Sequence, residues 1–161
     1  MIRDATRTDA EAVALIWNHY IRDTVATFNA AEKPLAEVAA TMTARLAGRC
    51  FLVAEDQGRV QGFATYDQFR GGIGYRHSME HTVLLAPDAA GQGYGRALMA
   101  AVETHATLAG AHVMVAGVTA ENTAGRDFHA KMGYVQVGLM PQVGRKFGRW
   151  MDLVLMQKIL S

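Results

Sequence analysis

The chain has 161 residues, 50% hydrophobic and 19% charged, with 16 Lys and Arg against 15 Asp and Glu for a net charge of +1. That length supports one domain with a single sizeable core, and the composition excludes a disordered or a membrane-spanning chain. The near-neutral balance excludes the uncompensated basic face of a nucleic-acid binder, so neither nucleic acid nor membrane is an expected partner and small-molecule chemistry is the default.

In chain order, Thr8 and Glu11 have capping-box spacing, and Val13, Ile16, Trp17 and Tyr20 recur at helical intervals, which predicts a first amphipathic helix. A loop is expected over residues 23–33. Pro34 suits the first turn of a second helix, with an apolar stripe of Leu35, Val38, Met42 and Leu46 that ends near Gly48. Residues 50–55 and 59–66 flank Asp56-Gln57-Gly58 and read as a β-hairpin. Gly71, Gly72 and Gly74 make a permissive loop, and residues 81–85 are strand-like. From Tyr94 onward, Leu98, Val102 and Ala106 give helical periodicity up to Gly110. Residues 112–118 are β-rich, 122–131 form a short helix, and 134–139 and 150–157 are the closing strands. The loose alternation predicts an α+β fold, a mixed and largely antiparallel sheet flanked by helices, in one domain over residues 1–161.

The one cysteine, Cys50, has no partner for an internal disulfide and sits in a buried-strand pattern, Cys50-Phe51-Leu52-Val53-Ala54. A reducing compartment fits. With no basic leader and apolar core in Met1-Ile2-Arg3-Asp4, a cytoplasmic location is expected.

Gly91-Gln92-Gly93-Tyr94-Gly95-Arg96 follows a strand-like segment and a Pro87-Asp88 break and opens a helical pattern. Alternate glycines leading into a helix N-terminus, whose first amides lack partners, make a cradle for phosphate oxygens. A Walker loop requires Gly-Lys, which the chain lacks; the dinucleotide fingerprint fails because its third glycine falls on Arg96 or Leu98. The remaining pattern, G-x-G-x-G followed by Arg-Ala-Leu, resembles the pyrophosphate loop of GNAT acetyltransferases. The resemblance extends to residues 75–83, to Asn122, to residues 140–152, and to Trp17-Asn18-His19-Tyr20 and Thr27-Phe28-Asn29. These are similar to the phosphinothricin and methionine sulfoximine/sulfone N-acetyltransferase branch.

This resemblance implies a GNAT fold, acetyl-CoA as cosubstrate, no metal, and a homodimer. The implied reaction is acetylation of the α-amino group of a small amino acid analogue by direct attack in a ternary complex. Glu80 is the implied general base, since only a free amine attacks a thioester and a pocket carboxylate can take its proton. His129 is the candidate donor to the departing sulfur, with a core histidine as the other reading. Arg70 and Arg76 are candidates for the substrate carboxylate because a guanidinium matches it as a planar fork. Arg70 ranks first, and Gly71 and Gly72, which stand where relatives carry bulkier residues, are expected to enlarge the substrate pocket.

His81 and Thr82 are expected beside the substrate. Val83, Leu84 and Leu85 are expected to serve the pantetheine arm and acetyl carbonyl through their main chain. Gly91, Gln92, Gly93, Tyr94, Gly95 and Arg96 are assigned to the diphosphate, and Asn122 to coenzyme A or to a helix cap. Ala90 and Leu84 depart from the family pattern. His77-Ser78-Met79-Glu80-His81 also matches H-x-x-E-H, a zinc signature on helices. In an extended segment its histidines stand roughly 13 Å apart, too far to share a metal whose bonds are about 2 Å. Two rival readings are a GNAT enzyme for a polyamine or a protein N-terminus, and a coenzyme-A-binding sensor without transfer activity.

Overall fold

A computed structural model describes residues 1–160. One sheet contains β1 (Ile2–Asp4), β2 (Phe51–Asp56), β3 (Arg59–Gln68), β4 (Ser78–Leu85), β5 (Val113–Thr119), β6 (Val135–Lys146) and β7 (Arg149–Ile159), in the order β1-β2-β3-β4-β5-β7-β6. The pairing is antiparallel throughout except between β4 and β5, which run parallel. The helices are α1 (Ala10–Asp23), α2 (Leu35–Gly48), α3 (Tyr94–Leu108) and α4 (Thr123–Lys131). No helix among the described residues is long and apolar enough to cross a membrane.

The sheet carries core on both faces. Val13 and Ile16 of α1 and Val38 and Met42 of α2 pack with Phe51, Val53 and Phe63. On the other face Leu98, Met99 and Val102 of α3 pack with Leu52, Tyr66 and Met114. Alternate residues of β2 enter opposite clusters, which is why residues 51–54 read as an unbroken apolar run. The β2–β3 turn uses Gln57 and Gly58 with φ of 49° and 76°, the left-handed pair that matches strand twist in a two-residue hairpin.

Four local expectations are corrected. The capping box lies at Thr6 and Asp9, around a short 3₁₀ turn, and not at Thr8 and Glu11. Asp9 is held there because its carboxylate also pairs with Arg3, at 2.8 and 3.0 Å. The α2 stripe buries Val38 and Met42 but leaves Leu35 and Leu46 exposed. Asn122 precedes α4 as its cap. β6 runs on past residue 139 to Lys146, through register breaks at Gln136/Gly138 and Met140/Gly144. Pro141 and Gln142, the latter with φ of 57°, fall within the second break, and the sheet edge tolerates both because no strand pairs beyond it.

The α1–α2 connection is fixed by the sheet edge. Lys146, only 2% exposed, donates from Nζ to the carbonyls of Tyr20, Thr24 and Thr27 at 3.2, 2.6 and 2.8 Å. Ammonium charge at the carbonyl end of α1 also suits the helix dipole. The ring of Phe28 lies against Gly144, where any Cβ would come within 2.6 Å of it.

Candidate active site

The parallel β4–β5 ladder pairs Ser78 with Val113, Met79 with Met114 and Glu80 with Val115, and then stops. β4 runs on to Leu85, paired on its other side with β3 throughout. Residues 81–85 therefore present an edge of main chain with no strand across from it, inside the molecule. Gly62 of β3 faces Leu85; a Cβ at Gly62 would lie 2.8 Å from the Leu84 carbonyl oxygen, so only glycine permits this strand separation. The hydroxyl of Tyr20 donates to the Leu85 carbonyl at 2.7 Å, tying α1 to the end of β4.

Two cavities open along this edge. The first, about 380 Å³, is lined by Glu80, His81, Thr82, Trp17, Lys33 and Gly117 among others. The second, about 790 Å³ and more apolar, runs past Leu85, Ala86, Ala90, Gly91, Gly95 and Phe128. They share Ala26, Val83, Leu84, Asn122 and His129 as a common wall.

In the first cavity Glu80 stands half-buried, and burial raises its carboxyl above the ordinary range because the charged form loses water. Its Oε2 lies over Gly117 of β5, 3.1 Å from where a Cβ would stand. His81 is on the opposite face of β4, in accord with strand alternation. Its Nε2 lies 3.1 Å from Nε2 of His129, and the rings stack with centroids 5.0 Å apart. Nδ1 of His129 is 2.7 Å from the Gly125 carbonyl, which only accepts, so Nδ1 carries the proton. In the neutral pair Nε2 of His129 then accepts from His81, and Nδ1 of His81 is left buried without a partner. Burial lowers the pKa of both rings; His129 adds to the lowering at His81, while the Gly125 carbonyl and Glu103 partly oppose it at His129. His77, by contrast, bonds the Gly110 carbonyl through Nδ1 at 2.8 Å. His77 lies in the turn before β4 and His81 within the strand, so the two H-x-x-E-H histidines serve different partners.

In the second cavity the glycine loop has the conformation its sequence suggests. Gly91 and Gly93 have φ of 77° and 89° with open space at each Cβ position, so glycine is required by backbone conformation rather than crowding. Gly93 caps α3 without any side-chain bond, and among the described residues no main-chain N–H from 91 to 96 has a protein acceptor. Gly95 is buried, with Phe128 3.4 Å and Leu85 3.7 Å from its Cβ position. Side chains of the loop point elsewhere: Gln92 reaches the Asp88 carbonyl and the Tyr94 hydroxyl donates to Asp56. Arg96 is exposed. The free amide donors of this loop and the long apolar cavity beyond them fit the diphosphate and arm of coenzyme A.

Asn122 caps α4 and also faces the cavities. Its Oδ1 accepts from Gly125 N at 2.9 Å as the cap of α4, and the side chain lines both cavities. Gly125 has no room for a Cβ beside it, the amide of Asn122 being 2.5 Å away. Cys50 lies in the core, its thiol pushed up to about 12 by burial, which removes any thiolate nucleophile.

The arginine loop stands apart. Arg70, Gly71, Gly72 and Arg76 are exposed and line neither cavity. Arg70 lies over the Tyr75 ring at 5.5 Å, and Arg76 Nε donates to His77 Nε2 at 3.0 Å. The structure brings Glu80, His81, Thr82, Val83, Leu84, Asn122 and His129 together and leaves these four outside. Sequence reading missed Gly117, Lys33, Trp17 and the 24–29 loop. Trp17 and Thr27 lay within quoted motifs, but Lys33 and Gly117 carry no local signal.

Residues 13–134 match the model of the Acetyltransferase (GNAT) family. The chain is 42% identical over 157 residues to the L-amino acid N-acyltransferase MnaT of Escherichia coli, covering 97% of this chain and 91% of that protein. It is 39% identical over 157 residues to the L-methionine sulfoximine/L-methionine sulfone acetyltransferase of Salmonella typhimurium, covering 97% and 92%. Among solved structures, a GNAT superfamily phosphinothricin acetyltransferase from Sinorhizobium meliloti in complex with acetyl-CoA superposes with a TM-score of 0.95 at 31% identity, covering 100% of this chain and 88% of that one. With the glycine loop, the parted strands and these matches in agreement, the chain belongs to the Acetyltransferase (GNAT) family.

Proposed function

We propose that the protein acetylates the α-amino group of a small amino acid analogue, with methionine sulfoximine, methionine sulfone or phosphinothricin as leading substrates. The observation that carries this reading is the shared wall of Val83, Leu84, Asn122 and His129 between a cavity holding a carboxylate and a cavity ending at unpartnered loop amides. Acetyl-CoA, when bound, supplies an acetyl group activated as a thioester. The amides of residues 91–96 hold its diphosphate, and the open edge of β4 at Val83, Leu84 and Leu85 offers main-chain donors and acceptors to the amide-bearing arm.

Glu80 takes the proton that an ammonium must lose before it attacks, directly or through one water. Its raised pKa makes it a better acceptor than a free carboxylate at the same pH. Attack is direct in a ternary complex, since the only thiol is buried in the core. His129 donates to the departing sulfur from Nε2 only when that nitrogen is protonated, a state its surroundings disfavour, so Glu80 carries the principal proton transfer. A homodimer accords with the edge strand β6, which leaves Val135, Val137, Leu139 and Val143 exposed.

A thiol-release assay over amino acid analogues, polyamines and peptide N-termini tests the function. Turnover is expected with the amino acid analogues above all. Release with polyamines or peptides alone would transfer the assignment to another amine, and binding of acetyl-CoA without release from any amine would leave a sensor.

A further inference from the structure

We propose that Lys33 reads the carboxylate of the amino acid substrate inside the Glu80 cavity. The inference rests on the assignment of that cavity to the amine substrate. Glu80 and Lys33 are the only Asp, Glu, Lys or Arg side chains among its lining residues. One anionic and one cationic group lining a single cavity is the complement of a zwitterion: the carboxylate serves the amine and the ammonium serves the acid. Neither Arg70 nor Arg76 reaches this lining, and no Lys or Arg lines the adjoining cavity.

Lys33 is held in place for such a contact. Asn18 clamps its main chain from both sides, accepting from Lys33 N at 2.7 Å and donating to Lys33 O at 3.0 Å. Its Nζ lies 4.9 Å from the centroid of the Trp17 ring, which lines the same cavity. An aromatic face attracts the charge without occupying the three N–H donors. The one carboxylate near it, Glu37, stands at 3.5 Å and is itself well exposed, the kind of pair that contributes little. With its side chain only 20% exposed, Lys33 lies along the cavity wall rather than extending into water.

The test compares L-methionine sulfone with its decarboxylated analogue, 3-(methylsulfonyl)propan-1-amine, in the wild type, Lys33→Met and Lys33→Gln. For the amino acid, both variants are expected to raise KM by roughly 10- to 100-fold, as loss of a charged hydrogen bond implies, with kcat changed by less than about threefold. KM for the analogue is expected to stay at the wild-type value. Lys33→Arg, which keeps the charge, is expected to recover part of the loss. A variant KM unchanged for both compounds, or raised equally for both, would overturn the role of Lys33 while the acetyltransferase assignment stands. Absence of wild-type turnover on both compounds would instead remove the amine-site assignment, and this inference with it.

Discussion

Nζ of Lys146 lies 2.6 Å from the carbonyl oxygen of Thr24, joining the last hairpin of the chain to the end of its first helix. Two further carbonyls, of Tyr20 and Thr27, complete three acceptors for three donors. Desolvation lowers the lysine's pKa, and these bonds offset its cost. Lys146→Met leaves buried carbonyls without a donor and should destabilise the fold by about 2–4 kcal/mol, or about 6–12 °C in Tm. Thermal and denaturant melts measure it. Because Ala26, Thr27 and Asn29 line the amine cavity, KM for the amine should rise as well.

Glu80 should impose opposite trends on activity and stability. Glu80→Gln should lower kcat by about 100-fold or more, the usual scale for a lost general base, with acetyl-CoA affinity retained. In the wild type, kcat/KM should fall as pH drops through the raised carboxyl pKa. Since that pKa lies above its unfolded value, the folded state holds the proton more tightly. The resulting stability is present at low pH and is lost as pH rises through the folded pKa. Glu80→Gln should therefore be at least as stable as the wild type at pH 7, and chemical denaturation across pH 4 to 8 compares the two curves.

Gly117 is the floor beneath the Glu80 carboxylate. Gly117→Ala would place a methyl 3.1 Å from Oε2, tighter than ordinary contact, and the carboxylate must move. The expected result is a kcat lower by about tenfold at similar Tm, as a small displacement of a catalytic group gives. Equal kinetics in the two proteins would show that the carboxylate position has slack.

The His81–His129 pair should remain uncharged at pH 6.5, where a free imidazole is half protonated. Both folded pKa values lie below the unfolded one, so their contribution is present above pH ~6.5 and is lost as pH falls toward the folded values. If both titrate only on unfolding, stability falls by up to about 2.7 kcal/mol per pH unit in that window. Imidazole nitrogen shifts by NMR check the charge state and identify the Nδ1–H tautomer of His129 directly.

Local chemistry was legible in the sequence, and long-range geometry was not. The β2–β3 hairpin, α3 and the glycine loop were readable because turn residues and apolar spacing act over a few positions. β1 escaped because its three residues are held only by pairing with β2. The later half of β6 was hidden by Pro141 and Gly144, which signal a break in a central strand but are tolerated at a sheet edge. Glu80, Asn122 and the loop came from motif position, and all three meet at the cavities. The His81–His129 contact spans 48 residues and the Lys146–Thr24 contact 122, and no local pattern announces either. Arg70 and Arg76 were candidates because a guanidinium matches a carboxylate, and the chain places both on an exposed loop outside the two cavities, which residue chemistry alone does not reveal.

Gly62 touches neither cavity, yet it governs how wide the gap beside β4 can be. Any larger side chain there would shove residues 84 and 85 sideways, toward β5, narrowing the slot from behind. Ligand clearance in this protein is thus set partly by a residue on the far side of the strand, and a change of a single methyl group at that hidden position would retune it without changing the identity of any lining residue.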